Sequence, residues 1–365
     1  MDNSISLERA EDGSATLASA RAARARIADD VAMLRTAADV TRDLSAPRAA
    51  IYWSDFLGSA LLGYGTLYAA ATLAGGWAVL AGVVAVLALY RAMSFIHEVS
   101  HIKHSALPGF RLGYNLVIGI PMLIPSFMYE GVHNLHHTRV RYGTVDDPEY
   151  LPLALMKPWT LPVFVVVAAL APIALLFRYA VLAPLSLVVR PLRTHVVARY
   201  SGLAINPAFR RRPAENEAHA LWVRLEVACS LWAIGLIAMV ATGVISLGVF
   251  AIILGVASGV AVLNQIRTLV AHLWENEGEP ITVTAQYLDT VNVPPPSLLP
   301  ALWAPVGLRY HALHHLLPSI PYHALGEAHR RLSAALGVDS PYHKGSYDGL
   351  PGLVTRLFVS TTRKR

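Results

Sequence analysis

Nine of the chain's fifteen histidines stand where they could act together. His97-x3-His101 ends one apolar run, His133-x2-His136-His137 follows a second, His272 closes a third, and His311-x2-His314-His315 lies in the polar C-terminal part. Residues three and four apart share a helix face, so His-x-x-His-His presents three imidazoles side by side and His-x-x-x-His presents two. With 15 histidines in 365 residues, a given one gains both further partners by chance in fewer than about one case in five hundred. Imidazole is a ligand for iron, copper, nickel and zinc, and buried without a partner it is costly. Nine donors are too many for one tetrahedral zinc, which takes four. They suit two metal ions with four or five donors each, and two metals with open positions point to oxygen activation, with iron the usual metal. His104 shares a face with His101 but lies beyond that pair, so a supporting role is expected. His195, His219, His323, His329 and His343 stand singly in polar segments and are read as surface or structural residues.

Such groups need elements to carry them. The chain is 55% hydrophobic and only 15% charged, against roughly 25% charged in soluble proteins, and its mean hydropathy is +0.46. Disorder is excluded by the apolar content, and a disulfide framework by the single Cys229. The expected fold class is an all-α integral membrane protein. Residues 51–95, broken at Gly75-Gly76, read as a transmembrane helical hairpin, and 227–245 with 247–271 as a second one turning at Ser246. Residues 112–127, with Pro121 and Pro125, are too short to span and read as re-entrant or interfacial. The block 159–189, interrupted by Pro172, Arg178 and Pro184, is too short for two crossings and reads as a helix in the interface. The expected domains are a polar N-terminal arm at 1–50, helical over 19–40, a membrane domain at 51–274 with the first two histidine groups, and a cytoplasmic cap at 275–365 with the third. No apolar signal-peptide core occurs in the first 50 residues.

Neither hairpin turn carries lysine or arginine, whereas seven arginines fall between Arg190 and Arg224 against two acids. Positive-inside bias puts both termini and all the histidines on the cytoplasmic side. In this setting the basic stretch flanks spans, and no aromatic-interleaved basic motif speaks for nucleic acid.

The three histidine boxes and the hairpin spacing, from about Tyr52 to His323, resemble the membrane-bound fatty acid desaturase superfamily. The resemblance implies that the boxes ligate two irons and that a histidine at the end of the last span completes the set, a position His272 matches. The implied ligands are His97, His101, His133, His136, His137, His272, His311, His314 and His315. The implied activity is oxygen-dependent removal of two hydrogens from a lipid acyl chain, with electrons from a separate redox protein of ferredoxin or cytochrome type. In the stearoyl-CoA branch an asparagine four residues before the span-end histidine holds a metal-bound water. Thr268 stands there in this chain, with Asn264 a turn earlier, which puts an acyl-CoA carrier in question. Asp146, Asp147 and Glu149 after the second box are placed either to orient imidazoles or to cap a solvated loop.

The same core performs desaturation, hydroxylation and ketolation. Desaturation is preferred here because His-x-x-His-His occurs twice; the alternative is a hydroxylase or ketolase acting on a lipid or carotenoid. His97-Glu98-x-x-His101 also matches the zinc protease pattern with Glu98 as base, but that reading leaves the other two boxes unused. A metal transporter is disfavoured because transport sites sit near the midplane. The expected partners are a lipid acyl substrate, molecular oxygen, membrane lipids and the electron donor, steered by charge to the basic face. The Ala- and Arg-rich chain points to a bacterial cytoplasmic membrane.

Overall fold

The computed structural model describes residues 27–362, and among them the regular structure is helical, with isolated β-bridges and no strand. Helix α1 (Val31–Thr41) opens on Asp30, whose side chain accepts from the Met33 N–H at 3.0 Å. The part of the expected 19–40 helix before Ile27 lies outside the described residues.

Helices α2 (Ala49–Thr72) and α3 (Gly75–His101) form an antiparallel pair joined at Leu73-Ala74. Gly75 opens α3 at φ +61°, a left-handed conformation that costs a glycine little. The pair is close-packed: a Cβ on Gly63 would lie 2.6 Å from Leu89 Cδ2. Small residues at such crossings let membrane helices gain dispersion contacts where hydrophobic drive is missing. Inside the pair, Asp55 accepts from Arg91 Nε at 2.7 Å and Nη2 at 2.6 Å. The 27 residues of α3 give about 40 Å of helix, longer than the ~30 Å hydrocarbon layer. The excess carries His97 and His101 past the apolar stretch.

The chain then folds back on this pair. Helix α4 (Phe110–Tyr114) runs into a π-turn at Asn115–Gly119, and Phe110, Tyr114 and Ile118 bury against Tyr52, Phe56 and Phe95. Residues 112–127 thus form short turns and no span. A single turn, α5 (His133–His136), follows.

Helix α6 (Thr160–Val188) continues through a π-helical stretch at Arg178–Leu182; α7 (Arg190–Tyr200), α8 (Asn216–Ala241) and α9 (Leu247–Leu269) come next. By length and composition α3, α6, α8 and α9 are the helices able to cross a bilayer among the described residues. The segment expected in the interface is therefore one helix of spanning length. Near its start Leu161 and Phe164 pack with Tyr150 and Leu269, and in its π-helical stretch the Tyr179 O–H donates to Met128 Sδ at 3.1 Å. Helices α8 and α9 are joined through 242–246, Ser246 capping α9 by accepting from the Val249 N–H at 3.2 Å. Helix α6 packs along α9, where Ser258 Oγ donates to the Ala169 carbonyl at 2.8 Å, and its π-helical stretch packs on α8. There Arg178 is buried and paired with Glu226 at 2.7 Å, and Arg193 meets the same carboxylate at 2.6 Å.

The C-terminal part holds α10 (Val283–Leu288), α11 (Pro300–Trp303), α12 (His311–Leu316), α13 (Leu325–Ala335) and α14 (Leu350–Thr362). Bridges pair His272 with Thr290 and Asn292 with both Tyr310 and Ser346, so His272, three residues beyond the end of α9, and the start of α12 are held by one stretch of backbone. The N-terminal arm joins this cap: Met33 and Ala37 of α1 bury against Leu325, Ala328 and Leu332 of α13.

Candidate metal centre

The four short and long elements that end near one another bring all nine expected histidines together. Two groups result. His97, His101, His133, His137 and His314 form the first; His136, His272, His311 and His315 form the second; within each group one nitrogen of every ring lies within 4.8 Å of the others. Helical spacing explains the division. On α5 and its C-cap, residues i and i+4 (His133, His137) face one group and i+3 (His136) the other; on α12, His311 and His315 face the second group and His314 the first. Each His-x-x-His-His box therefore serves both groups. His104 stays outside, its Nε2 lying 2.8 Å from Arg111 Nη1 and 3.2 Å from Glu130. His329 meets the Tyr342 O–H at 2.7 Å, and His323 Nε2 accepts from the Arg48 N–H at 3.1 Å.

The far nitrogens of the rings are held from outside. Glu149 lies 2.9 Å from His133 Nδ1, and Asp147 2.9 Å and 3.0 Å from His136 Nδ1. The Tyr142 O–H donates to Asp289 at 2.8 Å, which leaves its oxygen to accept from His272 Nδ1 at 2.9 Å. The Gln286 amide lies 2.8 Å from His315 Nδ1. Of the acids flagged after the second box, Asp147 and Glu149 thus face imidazoles, while Asp146 is exposed. Tyr142, Gln286 and Asp289 carried no signal in the sequence, since they are ordinary residue types arriving from distant segments. Burial keeps His133, His137, His272, His311, His314 and His315 well below the ordinary imidazole range, hence neutral. Burial also works against a charged His136, but the Asp147 carboxylate outweighs it and raises that ring. Glu149 is pushed up to about 7 by burial.

These residues fit a pair of cations. With Nδ1 of His133 and His136 donating to carboxylates, the lone pairs of their Nε2 atoms point inward. Nε2 atoms face one another at 2.9 Å (His133–His137), 3.0 Å (His272–His311) and 3.1 Å (His101–His314). His97 Nε2 is buried with no hydrogen-bond partner among protein atoms. Neutral donors converging at such distances are the chemistry that binds borderline and transition metals. Glu98 stands behind His97: its Oε1 lies 3.5 Å from His97 Nδ1, while its Oε2 accepts from the Tyr52 O–H and, at 3.1 Å, from the Tyr322 N–H. The carboxylate is thus tied to α2 and to the backbone at Tyr322. Thr268 Oγ1 is engaged with the Asn264 carbonyl at 2.9 Å.

Comparison with known proteins agrees with this arrangement. The family model described as "Fatty acid desaturase" matches residues 75–346. A ceramide hydroxylase of Caulobacter vibrioides (strain NA1000 / CB15N) is 48% identical over 341 residues, covering 93% of this chain and 97% of that relative. No solved structure matches. With all three histidine boxes and the span-end histidine inside the matched region, the chain is an oxidoreductase acting on lipid and belongs to the fatty acid desaturase family.

Proposed function

We propose that this chain hydroxylates a lipid of the ceramide kind, a long-chain amide, with oxygen and two electrons from a separate redox protein. The observation that carries this reading is the 48% identity to a ceramide hydroxylase across nearly the full length of both chains. The preference for desaturation drawn from the repeated His-x-x-His-His pattern gives way, because that pattern divides ligands between two groups and says nothing of how the reacting carbon is held. The balance is one C–H bond, one O2, two electrons and two protons giving one C–OH and one water.

The nine histidines would hold two irons, five donors on one and four on the other. When bound, the irons supply reductive activation of oxygen to a species able to break an aliphatic C–H bond. The chain's residues prepare for that. Asp147 and Glu149 keep protons on Nδ1 of His136 and His133, so that Nε2 is free before any metal arrives. The packed rings, most of them buried, keep bulk water from the reacting atoms. The histidine-bearing ends of α3 and α9 face the cytoplasm, with Gly75 and Ser246 on the far side.

The test is lipid mass spectrometry of a bacterial host that makes ceramides, expressing the protein beside a His136→Ala control. One added oxygen per ceramide, absent from the control and from anaerobic cultures, is the expected outcome. A product lacking two hydrogens and carrying no new oxygen would make the enzyme a desaturase instead.

A further inference from the structure

Arg267 lies in the last turn of α9, five residues before His272, and is only 8% exposed. Its Nη2 is 3.1 Å from His311 Nδ1, and its Nε is buried without a hydrogen-bond partner among protein atoms. Arg178, equally buried, is met by the Glu226 carboxylate; the partner of Arg267 is an imidazole. That imidazole belongs to the second histidine group, so the guanidinium stands directly behind one of its rings.

The contact with His311 conflicts with metal binding. A guanidinium has donors only. While Nδ1 accepts from it, neutral His311 carries its proton on Nε2, which faces His272 at 3.0 Å and His315 at 3.2 Å. A metal held through Nε2 would put the proton on Nδ1, facing the guanidinium donor to donor. Arg267 would then need another acceptor, one not supplied by that imidazole. An anionic head would be drawn onto the cations themselves, so an uncharged oxygen is the better match.

We propose that Arg267 binds a carbonyl or hydroxyl oxygen in the polar head of the lipid substrate, and so places the oxidised carbon within a few bonds of that head. The inference rests on the lipid-oxidising reading above and adds how the substrate is set in register. Arg267 is one imidazole's width from the histidine groups, so an oxygen held there leaves the deep part of the chain out of reach.

The test is equilibrium binding to iron-loaded protein in nanodiscs, kept free of oxygen so that nothing turns over. The probes are a saturated ceramide and an analogue of the same chain lengths whose amide carbonyl is CH2 and whose hydroxyls are removed. Wild type is expected to prefer the ceramide by about ten-fold or more, the worth of one charge-assisted hydrogen bond. Arg267→Gln is expected to lose most of that preference at unchanged iron content. An unchanged preference in Arg267→Gln overturns the proposal. So does wild-type protein that binds both probes alike, a result that needs no variant to fold. A desaturated product would instead end the hydroxylation reading and leave this binding comparison standing.

Discussion

At the scale of single residues, Asp147 carries the sharpest expectation. It touches His136 Nδ1 with both oxygens and accepts from the backbone N–H groups of Gly143 and Glu149 at 2.8 Å each, so it is fixed before a metal arrives. Asp147→Asn puts an amide N–H where an acceptor is needed and is expected to weaken iron binding by about 10–100-fold. Chelator competition followed by iron counting reads this directly. His136→Ala should lower the count from two toward one, whereas His329→Ala, whose ring is engaged with Tyr342, should keep both. Full iron in Asp147→Asn under competition would remove the orienting role. Eight of the nine ring positions were legible from sequence because i, i+3, i+4 spacing is a local property; His272, which stands singly, was reached only through the resemblance to the desaturase superfamily. Their outer partners were not: Tyr142 stands 130 residues from His272, and Gln286 29 from His315. No periodicity links such pairs, and a lone Tyr or Gln has no composition signal. Arg267 was equally silent, a single basic residue at the end of an apolar run.

Among the elements, α6 departs furthest from expectation. The apolar content of 159–189 was plain, and so was the oddity of Arg178 within it. The partner, Glu226, lies 48 residues on in another helix. Arg178 also donates from Nε to the Tyr200 carbonyl at 2.9 Å and from Nη2 to Ser201 Oγ at 3.1 Å, so one guanidinium ties α6 to α8 and to the end of α7. Removing the carboxylate strands a buried cation. Glu226→Leu is expected to cost about 3–5 kcal/mol, seen as a lower thermal midpoint in detergent by circular dichroism. Arg178→Met combined with Glu226→Leu should recover most of the loss, since Arg193, the remaining partner, is the more exposed of the two arginines and can turn to water. A double variant no better than the single one would show that the ion pair is not what holds α6 in place. The helix pairs were easier to read, since a run with a Gly75 break needs no long-range information; but the first arm of the first pair, α2, is not among the helices apolar enough to cross, its Tyr, Ser, Asp and Gly residues diluting the run.

For the whole molecule the open quantity is orientation. The two hairpin turns, at 73–74 and 242–246, lie at the ends of α3 and α9 opposite the histidines. The basic stretch 190–224 is at the histidine end, where the Arg211 Nη2 donates to the Glu130 carbonyl at 2.9 Å. Single cysteines at 75, 246 and 209, placed in a Cys229→Ser background, should separate by side. Impermeant reagent applied outside intact spheroplasts is expected to label 75 and 246, and to reach 209 only after lysis. Labelling of 209 from outside would reverse the assignment. Cys229 itself is buried on α8, so its replacement by serine frees the assay of background.

The division of each His-x-x-His-His turn between the two groups has a mechanical consequence. Rotating α12 about its axis swings His314 toward or away from one group while it swings His311 and His315 the opposite way about the other. The single turn of α5 does the same with His133 and His137 against His136. The two groups thus sit at opposite ends of a pair of see-saws. A movement of either turn is therefore registered at both groups at once, whereas α3, with His97 and His101, addresses the first group alone and His272 the second alone.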